Sequence, residues 1–289
     1  MADERSLGWQ IANPQTGVFN RGSMLEVEFA ESSDHGKVRE HNEDYLGHVA
    51  PATPAQVRSH GWLFALADGV GGQEKGEVAS QAAVESMLGG FRRAAAWEPH
   101  STLLPRLVQE ANAHVLETAI AGGKSSAGMA TTLVACSLRF DRAVVAHVGD
   151  SRCYLIRRGR ATLLTRDHTV ANEQVRLGLV SAQDAGQGST HHLLSRALGA
   201  EMVANVDASD HQVYPGDVLL LCSDGLHGSV TGADMAGVVS HDVELNAAAQ
   251  KLVALANERD GGDNISVQLI RVRQVERMGM YRGRPYKLP

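Results

Sequence analysis

Four apolar, strand-length runs in this chain each meet an acid at one end. Trp62-Leu63-Phe64-Ala65-Leu66-Ala67 stops at Asp68 and passes into a loop holding Gly69, Gly71, Gly72 and Gly76. An uninterrupted apolar run of that length is expected of a strand covered on both faces. Ala143 to Val148 runs into Gly149-Asp150, and Val218 to Cys222 runs into Ser223-Asp224-Gly225. In the opposite sense, Gly261-Gly262-Asp263-Asn264 opens the run Ile265 to Ile270. If those ends converge, the carboxylates repel one another unless cations neutralise them. An all-oxygen cluster suits hard cations such as Mg²⁺ or Mn²⁺, and glycine-rich backbone beside it lets a carbonyl approach an ion closely.

The rest of the chain is ordinary for a soluble globular protein: 289 residues, 43% hydrophobic and 21% charged. A net charge of −6 provides no basic surface for nucleic acid. Cys136, Cys153 and Cys222 are far apart and lie in or beside strand-like runs. They are expected to be buried free thiols in a reducing compartment. Asp3 and Glu4 with no apolar core behind them do not read as a signal peptide, and no run approaches the ~18 apolar residues of a membrane span. A cytoplasmic monomer without a membrane or nucleic-acid partner is the expectation.

Residues 1–22 read as an N-terminal extension, 23–273 as one catalytic domain and 274–289 as a loosely packed basic tail, with Arg277, Arg282, Arg284 and Lys287 against Glu276. Alternation at Leu25, Val27 and Phe29 predicts a first strand. Apolar stripes predict helices over 76–96 and 102–121, with Pro105 in the first turn of the second. Residues 129–139, 142–149, 151–157 and 160–165 read as four strands of an antiparallel meander. Residues 168–210 read as an excursion from the sheet, a candidate flap, with a short helix near 170–178. A strand over 217–222, helices near 233–240 and 243–258, and a strand over 264–272 complete the chain. No Gly-x-Ser-x-Gly elbow or GxxxxGK[ST] phosphate loop is present.

Six short motifs, in order, resemble the metal-dependent serine/threonine protein phosphatases of type 2C, in their bacterial form. They are Ser33-Asp34-His35-Gly36-Lys37-Val38-Arg39-Glu40-His41-Asn42-Glu43-Asp44, Ala67-Asp68-Gly69-Val70-Gly71-Gly72, Val148-Gly149-Asp150-Ser151-Arg152, Leu164-Thr165-Arg166-Asp167-His168, Ser223-Asp224-Gly225-Leu226 and Gly262-Asp263-Asn264-Ile265-Ser266-Val267. The resemblance implies an α+β fold, a four-layer αββα sandwich of two antiparallel sheets flanked by helix pairs. It implies two Mg²⁺ or Mn²⁺ ions and a third, weakly bound. Asp68 would bridge two metals, Asp224 and Asp263 would complete the first, and the Gly69 carbonyl and Glu43 would serve the second. Asp44 would hold the second ion's waters, Asp150 with Asp224 would hold the third ion, and Arg39 would grip the substrate phosphate. The implied substrates are phosphoserine and phosphothreonine in proteins, including a serine/threonine kinase or its targets. Animal members carry histidine where this chain has Val70, so the general acid is unassigned, and a metal-bound water is the expectation. His168, His191 and His192 are expected to be surface or structural. An inactive binding module of the same fold, or a phosphatase for one regulator or a small phosphorylated metabolite, are the alternatives.

Overall fold

The computed structural model describes residues 24–70, 75–123, 128–181, 184, 193–239, 243–281 and 284–287. The expected N-terminal extension and His191 and His192 lie outside these residues.

Two antiparallel sheets dominate. One has the order β1-β11-β10-β7-β8, built from β1 (Glu26–Asp34), β7 (Arg152–Arg157), β8 (Arg160–Leu163), β10 (Val218–Cys222) and β11 (Ile265–Gln274). The other has the order β2-β3-β5-β6-β9, from β2 (Asp44–Val49), β3 (Trp62–Val70), β5 (Leu133–Arg139), β6 (Arg142–Val148) and β9 (Asp207–Gln212), with β4 (Ala130–Thr131) beside β3. Helices α1 (Pro54–Ser59), α2 (Gly76–Arg93), α3 (His100–Ala121), α4 (Val170–Arg176), α5 (Asp224–His227), α6 (Gly232–Val238) and α7 (Leu245–Arg259) complete the domain.

The period-two geometry of a strand explains why continuous apolar runs form this sandwich. In β3, Leu63, Ala65 and Ala67 join Met87, Phe91, Leu104 and Leu107 of α2 and α3 in one outer core. The alternate residues Phe64 and Leu66 face a middle layer with Leu219, Leu221, Ile270 and Val272 of the other sheet. In β10, Val218, Leu220 and Cys222 face outward to Met235, Leu252 and Ala256 of α6 and α7. Three apolar layers between four structural layers make the αββα sandwich. Cys136 and Cys153 lie in the middle layer and Cys222 under α7, all free and buried. Among the described residues no helix is long and apolar enough to cross a membrane.

Four local expectations need correction. The four strands from residue 129 are not one meander, because β5–β6 belong to one sheet and β7–β8 to the other. The chain changes sheet at Gly149, whose φ of +102° is open to glycine and whose Cβ, if present, would lie 2.7 Å from Thr132 Cβ. The second helix begins two residues earlier than expected, so Pro105 lies beyond the first turn of α3. The excursion ends before 210, since β9 from Asp207 pairs with β6. The tail is not wholly irregular: β12 (Met278–Tyr281) pairs with β13 (Arg284–Lys287), and the buried Glu276 takes two hydrogen bonds from Arg58.

Candidate metal centre

Antiparallel register brings the acids together. Asp44 and Asp68 are direct partners across β2 and β3. Cys222 at the end of β10 faces Val267 near the start of β11, which sets Asp224 beside Asp263. Cys222 also faces Arg152 at the start of β7, so the Gly149–Asp150 crossing arrives at the same end. The two sheets are tied together there. Ser223 Oγ donates to Asp44 Oδ2 at 2.8 Å, and the Glu43 amide donates to Asn264 Oδ1 at 2.8 Å.

The electrostatics report the same convergence. Burial, then repulsion from Asp44, Asp224, Asp150 and Asp263, holds the Asp68 carboxyl well above the usual carboxylate range. Burial pushes Asp44 up to about 7, with Asp224 and Asp263 adding to it. Burial and the nearby Asp224 and Asp167 push Asp150 up to about 7. Desolvation also raises Glu43. Five aspartates within one another's fields, with only Arg39 among the predicted site residues to offset them, are a poor arrangement for a bare protein. Asp44 Oδ1 is buried and has no hydrogen-bond partner among the described residues. That orphaned oxygen and the all-oxygen donor set fit hard divalent cations.

Glycines make room at the second position. A Cβ on Gly69 would lie 2.3 Å from the Gly76 backbone, and one on Gly76 would lie 2.7 Å from Glu43 Cδ. The first turn of α2 can therefore approach both the Gly69 backbone and Glu43, and its free N–H groups favour negative charge nearby. The Gly69 amide itself donates to the Glu43 carbonyl at 3.1 Å. Arg39 is half-exposed at the rim, its Nη2 donating to Asp263 Oδ2 at 2.8 Å. Each predicted site residue thus lies at one end of the sandwich. Gly71 and Gly72 lie outside the described residues.

Several residues to which the sequence reading gave no role hold this end in shape. Asn264 accepts from Glu43 and donates to the His35 and His41 carbonyls at 3.0 and 2.9 Å, which fixes the loop carrying Arg39. Thr132 Oγ1 accepts from the Asp68 amide at 3.0 Å and meets Ser151 Oγ at 2.7 Å. His227 Nε2 donates to the Asp150 carbonyl at 3.0 Å. Their partners lie 19 or more positions away, so only the fold reveals them. Cys136 and Arg142 do have the Cys-x5-Arg spacing of a cysteine phosphatase loop, but they lie in strands β5 and β6 with Cys136 fully buried. No thiolate nucleophile is built there.

The fold and this carboxylate centre define a metal-assisted hydrolase of the αββα class. The sequence model described as protein phosphatase 2C matches residues 33–257. A serine/threonine phosphatase, stp, of Listeria innocua serovar 6a is 36% identical over 255 residues, spanning 87% of this chain and 96% of the relative. The S. agalactiae serine/threonine phosphatase structure superposes with a TM-score of 0.78 at 29% identity, covering 86% of this chain and 100% of that one. The catalytic domain of the phosphatase PstP in complex with two manganese ions gives a TM-score of 0.73 at 31% identity, covering 87% and 100%. The chain belongs to the protein phosphatase 2C family.

One consequence can be checked without turnover. An acid whose pKa is raised by folding binds its proton more tightly in the native state, so its ionisation destabilises the fold as pH rises. For Asp150 that window runs from its ordinary 3.8 to about 7. In metal-free protein, Asp150→Asn is expected to gain melting temperature relative to wild type as pH rises through this range, then level off. A difference that does not change with pH would show that Asp150 ionises as freely in the fold as in water.

Proposed function

We propose that this chain hydrolyses phosphoserine and phosphothreonine in cytoplasmic proteins, using Mg²⁺ or Mn²⁺, and so reverses the action of a serine/threonine kinase. The observation that carries this is the gathering of Asp44, Asp68, Asp150, Asp224 and Asp263 in one field beside the exposed guanidinium of Arg39. In this proposal Asp68, Asp224 and Asp263 would hold one ion, and Asp68, the Gly69 carbonyl and Glu43 would hold a second. Asp44, held by Ser223, would hold water of the second ion, and Asp150 with Asp224 would hold a third, looser one. When bound, such cations lower the pKa of water and neutralise charge on the phosphoryl oxygens.

The protein's own groups do the rest. Arg39 sits at the solvent edge of the acids and can present two N–H groups to two phosphate oxygens. Neither a serine nor a cysteine nucleophile is needed, and the partly exposed rim around Arg39 admits a side chain projecting from a protein surface.

The test is Mn²⁺-dependent turnover of p-nitrophenyl phosphate and of a phosphothreonine peptide, abolished by chelation. Tight Mn²⁺ binding without turnover of either would make the chain a binding module instead. Efficient turnover of small phosphorylated metabolites with none of the peptide would move the substrate class.

Arg39→Ala is expected to raise KM for phosphate esters by about 10- to 100-fold, the scale of one or two charge-assisted hydrogen bonds, with a smaller fall in kcat. Mn²⁺ affinity should be unchanged by isothermal titration. Loss of a metal in that variant would make Arg39 a brace for Asp263 rather than a phosphate ligand.

A further inference from the structure

His168 is fully buried beside the metal-facing crossing. Its Nδ1 accepts the Gly149 amide at 3.2 Å, and its own amide donates to the Gly149 carbonyl at 3.0 Å. These two reciprocal bonds grip the residue immediately before Asp150. Gly149 is pressed from its other side by Thr132. An imidazole that accepts at Nδ1 carries its proton on Nε2, and His168 Nε2 lies between Asp207 Oδ2 at 3.4 Å and Arg196 Nη1 at 3.2 Å. The ring stacks on His147, with centroids 4.7 Å apart.

His147, His168 and Asp207 bring ligand atoms within 4.8 Å of one another, a spacing that a metal could use. Two features argue against one. The guanidiniums of Arg196 and Arg166 flank Asp207 at 3.1 and 3.5 Å and already neutralise it. His168 Nδ1 is taken by Gly149, and His147 Nε2 lies 2.9 Å from the Arg166 carbonyl. The group is a carboxylate–imidazole–amide chain, and desolvation keeps His168 neutral at physiological pH by lowering it to about 4.

The chain has a far end. The Ser195 amide donates to the His168 carbonyl at 2.8 Å, and Val170 N donates to Leu193 O at 2.8 Å. Arg196 joins Asp207 to Glu173 of α4. Helix α4 and residues 193–196 are thus bonded to both the backbone and the ring surroundings of His168, and His168 to Gly149.

We infer that His168 is a positioning residue that aims the Asp150 carboxylate and couples it to α4 and to residues 193–196. This rests on Asp150 being a cation ligand, as proposed above.

Two variants separate the ring's functions. His168→Asn keeps an acceptor where Nδ1 stood, while His168→Phe keeps a ring and offers none. His168→Gln, which keeps a donor toward Asp207 but no acceptor near Gly149, replaces the phenylalanine variant if that one does not fold. In metal-free protein, ¹⁵N NMR should show the Nε2–H tautomer of His168. The Gly149 amide should exchange at least about 10-fold faster in His168→Phe than in wild type or His168→Asn, the scale of one lost buried hydrogen bond. With Mn²⁺, His168→Phe should depress phosphothreonine-peptide turnover in the wild-type background and cause no further loss in Asp150→Ala. An Nδ1–H tautomer, or the same fold-loss in both backgrounds, overturns the inference. Failure of the Asp150 assignment shows separately, as an Asp150→Ala variant with undiminished turnover, and the tautomer and exchange measurements still decide the clamp.

Discussion

Asp68→Ala is expected to lower metal-dependent phosphatase activity by about 10³-fold or more, the scale seen when a preorganised charge partner is removed from a reacting centre. The same substitution should stabilise the metal-free protein. The reason is that Asp68 stands in the repulsive field of Asp44, Asp224, Asp150 and Asp263, and its carboxyl is held well above its ordinary range. Removing one charge relieves the others. Opposite signs for activity and apo stability distinguish a functional carboxylate from a structural one, whose loss lowers both. Thermal melts with and without Mn²⁺ measure it. Wild type should gain melting temperature on adding Mn²⁺ by mass action, and the variant should gain much less. A variant that is destabilised without metal, or stabilised by Mn²⁺ as strongly as wild type, would remove Asp68 from the bridging role.

The second large effect concerns the departing group. Val70 stands two positions after Asp68, so no imidazole follows Asp68 at that spacing. Asp150 reaches the cluster from a different strand pair, held at its carbonyl by His227 and at the next residue by the Ser151–Thr132 contact. If the Asp150 side of the site delivers the proton that an alkoxide needs, Asp150→Ala should cost about 10²-fold or more on a phosphothreonine peptide, within the range of general-acid catalysis. On p-nitrophenyl phosphate, whose leaving group departs without a proton, the loss should stay within about 10-fold. Equal losses on the two substrates would reject the proton role. Unchanged activity on both would make Asp150 only the turn residue at the sheet crossing.

How much of this was legible in the sequence follows from the range of each interaction. The acids were readable because a buried strand announces itself as an apolar run and its end as the first charge, as at Ala67-Asp68 and Cys222-Ser223-Asp224. The αββα sandwich came from the motif resemblance, since the runs say that Leu63 and Phe64 are both covered but not that they face different layers. The sheet crossing at Gly149 was not. A three-residue link between β6 and β7 reads as a hairpin, and nothing local marks the two strands as members of different sheets. The tail hairpin was hidden because β12 and β13 are four residues each, too short for a period-two pattern to stand out. His168 and Asn264 act through partners on other elements, and single-chain periodicity carries no trace of such bonds.

The central claim is that acids up to 220 positions apart (263 minus 43) form one metal centre. A crystal of the full chain grown with Mn²⁺, with diffraction collected at the manganese edge, tests it most directly. Two strong anomalous peaks about 4 Å apart are expected, with Asp68 bridging them and Asp224 and Asp263 on one of the pair. A peak among His147, His168 and Asp207 instead, or metals whose ligands omit Asp68, would contradict the account.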